Sequence, residues 1–339
     1  MKWLKWIGAI VVAAAVALCV FAGLTALKGE KPVAFQALGI KGRTGAPLVV
    51  AVWYPTNSRA WPTTIFGMRV MNVAANGEFA GDKLPLIVLS HGNGGSAGSH
   101  ADLAIALASS GYVVAAPMHA HDNFADQSGL ATNSWLSERN QELRSTVDFM
   151  LGKWKNRDHI NPDQVGAFGL SAGAFTVLTV AGAQPNLDLI AKHCASKPEL
   201  VCDVLKQAKS PLLGDAPQQQ AFAADARVKA VSIAAPGLGF TLPPERLAAV
   251  TVPVQLWSGE ADENVPYTSN TAFVREGVRT LEFHSVPGAG HFSFLVPCVL
   301  IGPPLFCSDQ KGFDRKAFHD QMNVQVVAFF DRTLKGAAR

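Results

Sequence analysis

Short apolar runs alternate with longer helical patterns along this chain, and the alternation limits its fold more than any other feature. Strands are predicted at residues 84–89, 112–116, 165–170, 228–234, 252–257 and 281–286. Helices are predicted between or after them, at residues 101–110, 138–154, 172–183, 265–276 and 315–334. Strands that alternate with helices form right-handed βαβ units. The pattern therefore predicts an α/β fold, in which a doubly wound, mostly parallel sheet has helices on both faces.

Two further segments complete the predicted domain, which covers residues 33–335. Residues 33–40 and 47–53 read as the two strands of an edge hairpin that precedes the alternating units. Residues 184–226 interrupt the alternation with a polar stretch rich in glutamine and lysine. We interpret this stretch as a small helical insertion that lies over the carboxyl edge of the sheet as a partial lid.

Residues 1–27 are predicted to direct the chain out of the cytoplasm. Lys2 and Lys5 precede an uncharged run at residues 7–27, which is long enough to span a bilayer as one helix. A basic start before an apolar run is equally typical of a secretory signal peptide. A buried core helix is the weaker alternative, because the run has no polar face. We therefore expect a periplasmic or secreted protein. Its N-terminal segment is either removed as a signal peptide or retained, so that residues 7–27 anchor the protein to the inner membrane.

The cysteines agree with export. Apart from Cys19, the chain has four, in the close pairs Cys194 with Cys202 and Cys298 with Cys307. An even number of cysteines in an exported chain indicates disulfides. Four cysteines allow three connectivities. The spacing favours the two local loops, and four free buried thiols are the alternative.

Composition excludes several classes of protein. Hydrophobic residues make up 49% of the chain and charged residues 16%, which excludes a disordered chain. The 29 basic residues nearly balance the 26 acidic ones, whereas proteins that bind nucleic acid carry a clustered basic excess. We therefore expect no nucleic-acid partner, and membrane contact only through the N-terminal segment.

The sequence Gly169-Leu170-Ser171-Ala172-Gly173 fits the pattern G-x-S-x-G between a predicted strand and a predicted helix. In that context a serine is held clear of the backbone on a sharp turn, and the glycines avoid clashes there. An ordinary turn serine is the alternative, but the strand before it and the helix after it favour a nucleophile. We therefore predict that Ser171 is the catalytic serine.

A serine nucleophile needs a histidine base, which follows it in the chain order of this kind of sheet. His291 lies in a glycine-rich loop after the last predicted strand. The alternatives are His284, within a predicted strand, and His319, on the terminal helix. Because the glycines let the loop return over the sheet, His291 is the predicted base.

The acid that orients the histidine is expected in the loop after the strand at residues 252–257. Asp262 has the best position in that loop, and Glu260 and Glu263 are its rivals. A solvated turn or a helix cap is the alternative role for any of the three. The order along the chain and the spacing to His291 favour Asp262.

The glycine-rich segment at residues 90–95 follows a buried strand and can direct a backbone amide at a developing oxyanion. Position suggests the amides of Asn93 and Ala172 as donors. His119 and His121, with Asp122, end another strand and are candidates either for the substrate cleft or for structural loop residues. Two histidines with no apparent third ligand are a poor metal signal, so we expect no metal and no organic cofactor.

Several short motifs carry a family resemblance. They are AVWYP at residues 51–55, PLIVLSHG at 85–92, GYVVAAP at 111–117 and AGHF at 289–292. These motifs resemble the α/β-hydrolase superfamily, and within it the exported bacterial serine hydrolases similar to dienelactone hydrolases and platelet-activating-factor acetylhydrolases. The likeness covers roughly residues 33–335. Because true dienelactone hydrolases resemble cysteine enzymes, Ser171 does not imply dienelactone turnover.

The residues and the resemblance together predict a hydrolase of small carboxylic esters that forms an acyl-enzyme on Ser171. An amidase or peptidase with the same triad is one alternative, and a non-catalytic, membrane-tethered binding protein on the same fold is the other. We expect short to medium acyl chains. The apolar residues of the insertion, including Leu200, Val201 and Val204, are predicted to pack onto the body and to leave little surface for a long chain.

Overall fold

A sheet of ten strands organises the chain in the computed structural model, which describes residues 2–43, 45–65, 69–214, 221–299 and 303–336. The strands are β1 Val33–Lys41, β2 Pro47–Pro55, β3 Trp61–Ile65, β4 Arg69–Ala75, β5 Leu84–Ser90, β6 Val113–Met118, β7 Ile160–Leu170, β8 Val228–Ala234, β9 Val254–Gly259 and β10 Leu281–Val286. The α-helices in the described ranges are α1 Lys2–Thr25, α2 Ala101–Ser109, α3 Trp135–Gly152, α4 Ala172–Val180, α5 Leu189–Ser196, α6 Leu200–Gln207, α7 Pro244–Leu247, α8 Thr271–Gly277, α9 Pro304–Cys307 and α10 Arg315–Phe330.

The strand order confirms the predicted α/β class. The order across the sheet is β10-β9-β8-β7-β5-β6-β2-β1-β4-β3, and the six strands from β10 to β6 pair in parallel. β6 lies on one side of β5 and β7 lies on the other, so the order in which the chain adds strands reverses between β5 and β7. In open α/β sheets, ligands bind outside the carboxyl ends of the strands at such a switch point. The oxyanion segment and Ser171 follow these two strands directly.

The hairpin predicted at the edge of the sheet lies further inside it. β1 and β2 pair antiparallel as expected, but β2 also pairs with β6, and β1 pairs with β4. The edge is β3, which pairs only with β4 among the described strands. Sequence analysis missed β3 and β4, because β3 is short, contains Pro62 and is mostly exposed, so it lacks an apolar alternation.

Helices cover both faces of the sheet with separate apolar clusters. One cluster joins α3 and α4 to the sheet through residues such as Leu143, Val147 and Phe175. The other joins α2 and α10 through residues such as Leu107 and Phe330. All but the first residue of β5 are buried, as expected for a central parallel strand. The central strands are thereby held between two layers of helices, and their carboxyl ends carry the loops of the site.

Two segments lie outside the sheet and its covering helices, although the second contributes residues such as Ile190 and Leu205 to the first apolar cluster. Within α1, Trp6–Thr25 is long and apolar enough to cross a membrane, with a mean hydropathy of 2.7 and none of the segment buried. A signal sequence near an N-terminus satisfies the same criterion. The described part of residues 184–226 contains the short helices α5 and α6, which the Cys194–Cys202 disulfide joins.

Candidate active site

Ser171 lies between the end of β7 and the first residue of α4. Its backbone has φ +57° and ψ −120°, a conformation that costs a residue with a side chain about 1–3 kcal/mol. Three backbone hydrogen bonds hold it there. The Ser171 N–H donates to the carbonyl of Ala234 at 3.0 Å, and the Ser171 carbonyl accepts from Phe175 at 3.1 Å and Gly237 at 3.2 Å. The sharp turn expected of a nucleophile between strand and helix is therefore built into the backbone.

The two glycines of the G-x-S-x-G pattern are required by close backbone approaches. A Cβ at Gly169 would lie 2.3 Å from the carbonyl oxygen of Gly173. A Cβ at Gly173 would lie 2.0 Å from the carbonyl oxygen of Ser90 at the end of β5. The absence of side chains therefore lets α4 begin directly against β5, which brings Ser171 beside the segment that follows β5.

His291 and Asp262 form a hydrogen-bonded pair at the carboxyl ends of two adjacent strands. The Nδ1 atom of His291 lies 2.7 Å from Oδ2 of Asp262, and both side chains are buried. The other carboxylate oxygen, Oδ1, accepts from the backbone N–H groups of Asn264 at 3.0 Å and Val265 at 2.8 Å. Since the carboxylate accepts at Oδ2, His291 donates from Nδ1 and keeps Nε2 as an acceptor.

The alternative acids and histidines have other partners. Glu260 accepts a hydrogen bond from the Ser285 hydroxyl at 2.8 Å, and Glu263 is exposed. His284 contacts Glu282 at 2.7 Å and stacks on Trp257. Of the residues weighed as acid or base, the structure therefore pairs only Asp262 with a histidine, and that histidine is His291.

A cleft opens beside Ser171 and contains the two residues predicted to form the oxyanion site. Asn93 and Ala172 line it, as do Asn264 and Val265, whose amides bind Asp262. Ala172 is the first residue of α4, and the first amides of a helix have no partner within the helix. Its remaining lining residues are Trp135, Ser171, Glu199, Leu200, Val201, Val204, Gly237, Leu238 and Asn270.

Asp122 fixes the segment that carries Asn93, a role that sequence analysis did not find. Its Oδ1 accepts from the Asn93 side-chain amide at 2.6 Å and from the Gly94 N–H at 2.9 Å. Its Oδ2 accepts from the Trp135 indole at 2.7 Å and from Arg139 at 2.5 Å. Burial alone would raise the pKa of Asp122, but the Arg139 charge and these hydrogen bonds hold it below its ordinary value.

Arg139 is almost fully buried on α3 and completes the support of the same segment. Besides Asp122, its guanidinium donates to the carbonyl of His91 and, at 3.3 Å, to the Thr176 hydroxyl on α4. A buried arginine is rare unless it is paired. A charged residue on the inward face of the predicted helix was the only sequence signal for this arrangement.

His119 lies behind the oxyanion segment and does not line the cleft, contrary to one of the two roles considered for it. It is fully buried, with Nε2 2.8 Å from the Ser90 hydroxyl and Nδ1 2.7 Å from Glu142. Burial and the Arg139 charge hold the pKa of His119 well below its ordinary value, and burial raises the pKa of Glu142 to about 8. At neutral pH this contact is therefore a hydrogen bond between neutral groups.

His121 is exposed and also lies away from the cleft. It contacts Asp126 at 2.7 Å and borders a separate depression formed with Arg43, Glu138 and Glu142. The cleft prediction for His121 is therefore wrong, and its second interpretation as a loop residue fits the structure. Within the described ranges, no group of three or more histidine, cysteine or acidic residues is arranged to hold a metal ion.

Both predicted local disulfides are present, and one braces the segment after His291. Cys194 pairs with Cys202, and Cys298 pairs with Cys307. The insertion differs from the prediction in one respect. Leu200, Val201 and Val204 of α6 face the cleft beside Ser171 and do not pack only against the body. The Cys194–Cys202 disulfide joins α6 to α5.

Part of the chain is similar to a known protein family. Residues 55–173 match the family described as platelet-activating factor acetylhydrolase, isoform II. The matched range contains the oxyanion segment and ends two residues after Ser171. No curated protein matches the chain.

Among solved structures, the fold is similar to that of a ferulic acid esterase from Streptomyces cinnamoneus. The two chains share 19% identity with a TM-score of 0.63, and the match covers 93% of this chain and 95% of that chain. The two matches confirm the resemblance predicted from the sequence, and they agree with the predicted class of enzyme, a carboxylic ester hydrolase. The chain therefore has an α/β-hydrolase-type fold and is similar, over residues 55–173, to the platelet-activating factor acetylhydrolases.

Proposed function

We propose that the chain hydrolyses carboxylic esters of small molecules through Ser171, His291 and Asp262. The observation that carries the proposal is the buried hydrogen bond between Asp262 and His291 at 2.7 Å. The amides that fix Asp262 belong to residues that line the cleft of Ser171, which supports the proposal that the pair and the strained serine act together. Acyl transfer requires a nucleophile, a base and an acid that orients the base, and this chain has them in the order Ser171, Asp262, His291.

The reaction follows from these positions. His291 accepts the proton of the Ser171 hydroxyl at Nε2 while the serine oxygen attacks the ester carbonyl. Asp262 holds the imidazole in the tautomer with Nδ1 protonated and stabilises the cation that forms. The tetrahedral intermediate then breaks its bond to the alcohol oxygen, which receives the proton from His291. Water repeats the sequence on the acyl-enzyme, with His291 again as base, and releases the carboxylic acid.

The Asn93 and Ala172 amides are proposed to bind the oxyanion of that intermediate. One such donor lowers the barrier by about 3–4 kcal/mol. Ala172 lies at the N-terminus of α4, where the helix dipole also favours negative charge. The Asn93 side chain is already bonded to Asp122, which leaves the backbone N–H of the segment to face the reacting carbonyl.

We propose a preference for short to medium acyl chains. The cleft is small, with a volume of about 70 Å³. The matched family is named for an acetylhydrolase. Leu200, Val201 and Val204 form an apolar part of the cleft wall, which supports contact with the first methylenes of an acyl chain.

Kinetics on nitrophenyl esters with two to twelve acyl carbons test this proposal. We expect kcat/KM to rise over the first carbons and then to fall. Each buried methylene contributes about 0.8 kcal/mol, so a continued rise to twelve carbons would contradict the short-chain preference and indicate a lipase. Matched nitroanilides in the same panel test the amidase alternative, which requires that the enzyme also turn them over.

We further propose that the protein is exported, to the periplasm or the medium, and acts there with its disulfides formed. The apolar helix at the N-terminus and the two disulfides support this location. The mass of the N-terminal peptide of protein from cell fractions distinguishes an anchor from a signal peptide. An uncleaved N-terminal peptide in the membrane fraction supports the anchor. Protein found only in the cytoplasm, with free thiols, would contradict export.

A further inference from the structure

A second buried histidine–aspartate pair lies close to the loop of His291. His319 on α10 is only 2% exposed. Its Nδ1 atom lies 2.6 Å from Oδ2 of Asp102 on α2, and its Nε2 atom lies 2.9 Å from the carbonyl oxygen of Ser293. Ser293 belongs to the helical turn His291–Phe294. The imidazole therefore joins two helices to the turn that begins with His291.

The partners of His319 determine its protonation state. A carboxylate oxygen and a backbone carbonyl oxygen can only accept hydrogen bonds. A neutral imidazole has one N–H group, so one of its nitrogens would direct a lone pair at a buried acceptor. Only the imidazolium form, with a proton on each nitrogen, satisfies both contacts.

The charges around the pair favour the same form. Burial lowers the pKa of His319, but the Asp102 charge and the hydrogen bonds to Asp102 and Ser293 outweigh burial, and the pKa is raised. Arg315 opposes this increase from α10. His100 also faces the pair, but burial lowers its pKa to about 4, so His100 is neutral.

Asp102 is held as an anion by its other neighbours. Burial would raise its pKa, but the His319 charge and hydrogen bonds from His319 and Asn323 lower the pKa to about 2. The Asn323 amide donates to Oδ2 at 3.0 Å. Arg69, at the start of β4, adds a further positive charge that interacts with Asp102. The acceptor for Nδ1 of His319 therefore stays charged across the pH range in which a histidine titrates.

The contact at Ser293 reaches His291 through a short path. The Ser293 hydroxyl accepts from the N–H of Gly290 at 3.0 Å and donates to Asp309 at 2.7 Å. Arg315 binds both oxygens of Asp309, each at 2.9 Å. The side chain of Ser293 is thus fixed from one side and its carbonyl from the other by His319, with His291 between Gly290 and Ser293 in the chain.

We propose that His319 is a positioning residue, an imidazolium whose two hydrogen bonds hold the turn of His291 against α2 and α10. Its protonation is a property of the folded chain and can be tested without any activity. Its effect on hydrolysis rests on the proposed function of His291. Loss of the proton at high pH removes the donor to Ser293, so the turn loosens and His291 spends less time in place.

The sign of the pH effect follows from the raised pKa. A group whose pKa is higher in the folded state stabilises that state at low pH and loses its contribution as the pH rises through the folded value. For His319 this loss begins above its ordinary value of 6.5. We therefore expect kcat to fall on the alkaline side by about tenfold, the effect of about 1.4 kcal/mol at the transition state. KM is expected to change little, because His319 does not line the cleft.

Nitrogen NMR of the full-length protein tests the protonation directly. The His319 signals are assigned by their loss in H319Q, and we expect both ring nitrogens to carry protons at pH 7.5. A single protonated nitrogen at that pH would overturn the proposal, whether or not the protein hydrolyses esters. Absence of hydrolysis with a doubly protonated His319 would instead contradict the proposed function and leave the proposed state of His319 supported.

The pH profile of kcat tests the effect on the turn. Glutamine in H319Q can still donate to the Ser293 carbonyl but does not titrate, so the alkaline fall should disappear while kcat at pH 7 stays within about threefold of wild type. H159Q, at an exposed histidine far from the site, is the matched control and should keep the fall. An alkaline fall that persists unchanged in H319Q would overturn the positioning role.

Discussion

Replacement of Asp122 by asparagine tests whether the buried network under the oxyanion segment stabilises both the fold and the site. The two oxygens of Asp122 accept four N–H groups, two at each oxygen, from Asn93, Gly94, Trp135 and Arg139. Asparagine has one oxygen and an NH₂ group, so two of these donors would lose their acceptor. Arg139 would also lose the carboxylate that neutralises it in a buried position.

The expected loss of stability follows from this count. Removal of one partner from a buried ion pair costs about 3–5 kcal/mol, because the remaining charge has no counter-charge. We therefore expect D122N to lower the free energy of unfolding by about 3–5 kcal/mol, measured from tryptophan fluorescence in urea with the disulfides intact. D126N is the matched control in the same loop, where the ion pair with His121 is exposed and screened, and its effect should be far smaller.

The same substitution should also slow hydrolysis. Asn93 and Gly94 lose their anchor in D122N, so the Asn93 amide leaves its place, and loss of one oxyanion donor lowers kcat about 10²- to 10³-fold. Combining D122N with R139M removes the unpaired charge and should recover part of the stability without recovering kcat. If D122N has the same urea midpoint of unfolding and the same kcat as the wild type, this interpretation of the network is wrong.

Two further predictions concern the acid and the second disulfide. D262N should lower kcat for esters by about 10⁴-fold, because asparagine favours the wrong imidazole tautomer. E263Q, at the exposed neighbour, should have little effect. A larger loss in E263Q than in D262N would show that the acid is misassigned. Alanine at both Cys298 and Cys307 should lower the free energy of unfolding by about 2–3 kcal/mol. It should also reduce kcat, because the disulfide braces the segment after His291. Unchanged unfolding in urea would refute the stabilising role.

The regular part of the fold could be predicted because each element has a local signal. The strands of the parallel sheet are continuous apolar runs, and β8 and β10 have the predicted bounds. The helix α3 begins three residues earlier than expected, at Trp135, whose indole is held by Asp122. Such a start depends on a contact with a distant residue and has no local signal.

The parts that sequence analysis missed depend on contacts between segments far apart in the chain. Arg139 lies on the inward face of its predicted helix, but its buried partner Asp122 lies in a separate loop, so no local signal predicts the pair. The sequence presents His319 only as an alternative base on the terminal helix, since nothing in that helix indicates that Asp102 and Ser293 both accept from it. The apolar residues of α6 were predicted correctly as a helix, but which neighbour they face is decided by the fold of the insertion.

The identity of the nucleophile is the central claim, and covalent labelling tests it most directly. A fluorophosphonate probe reacts with a serine only when a base and an oxyanion site activate it. Peptide mapping by mass spectrometry should place one adduct per chain, on Ser171, and the rate of labelling should fall by orders of magnitude in H291A. An adduct on another residue, or undiminished labelling of S171A, would contradict the account.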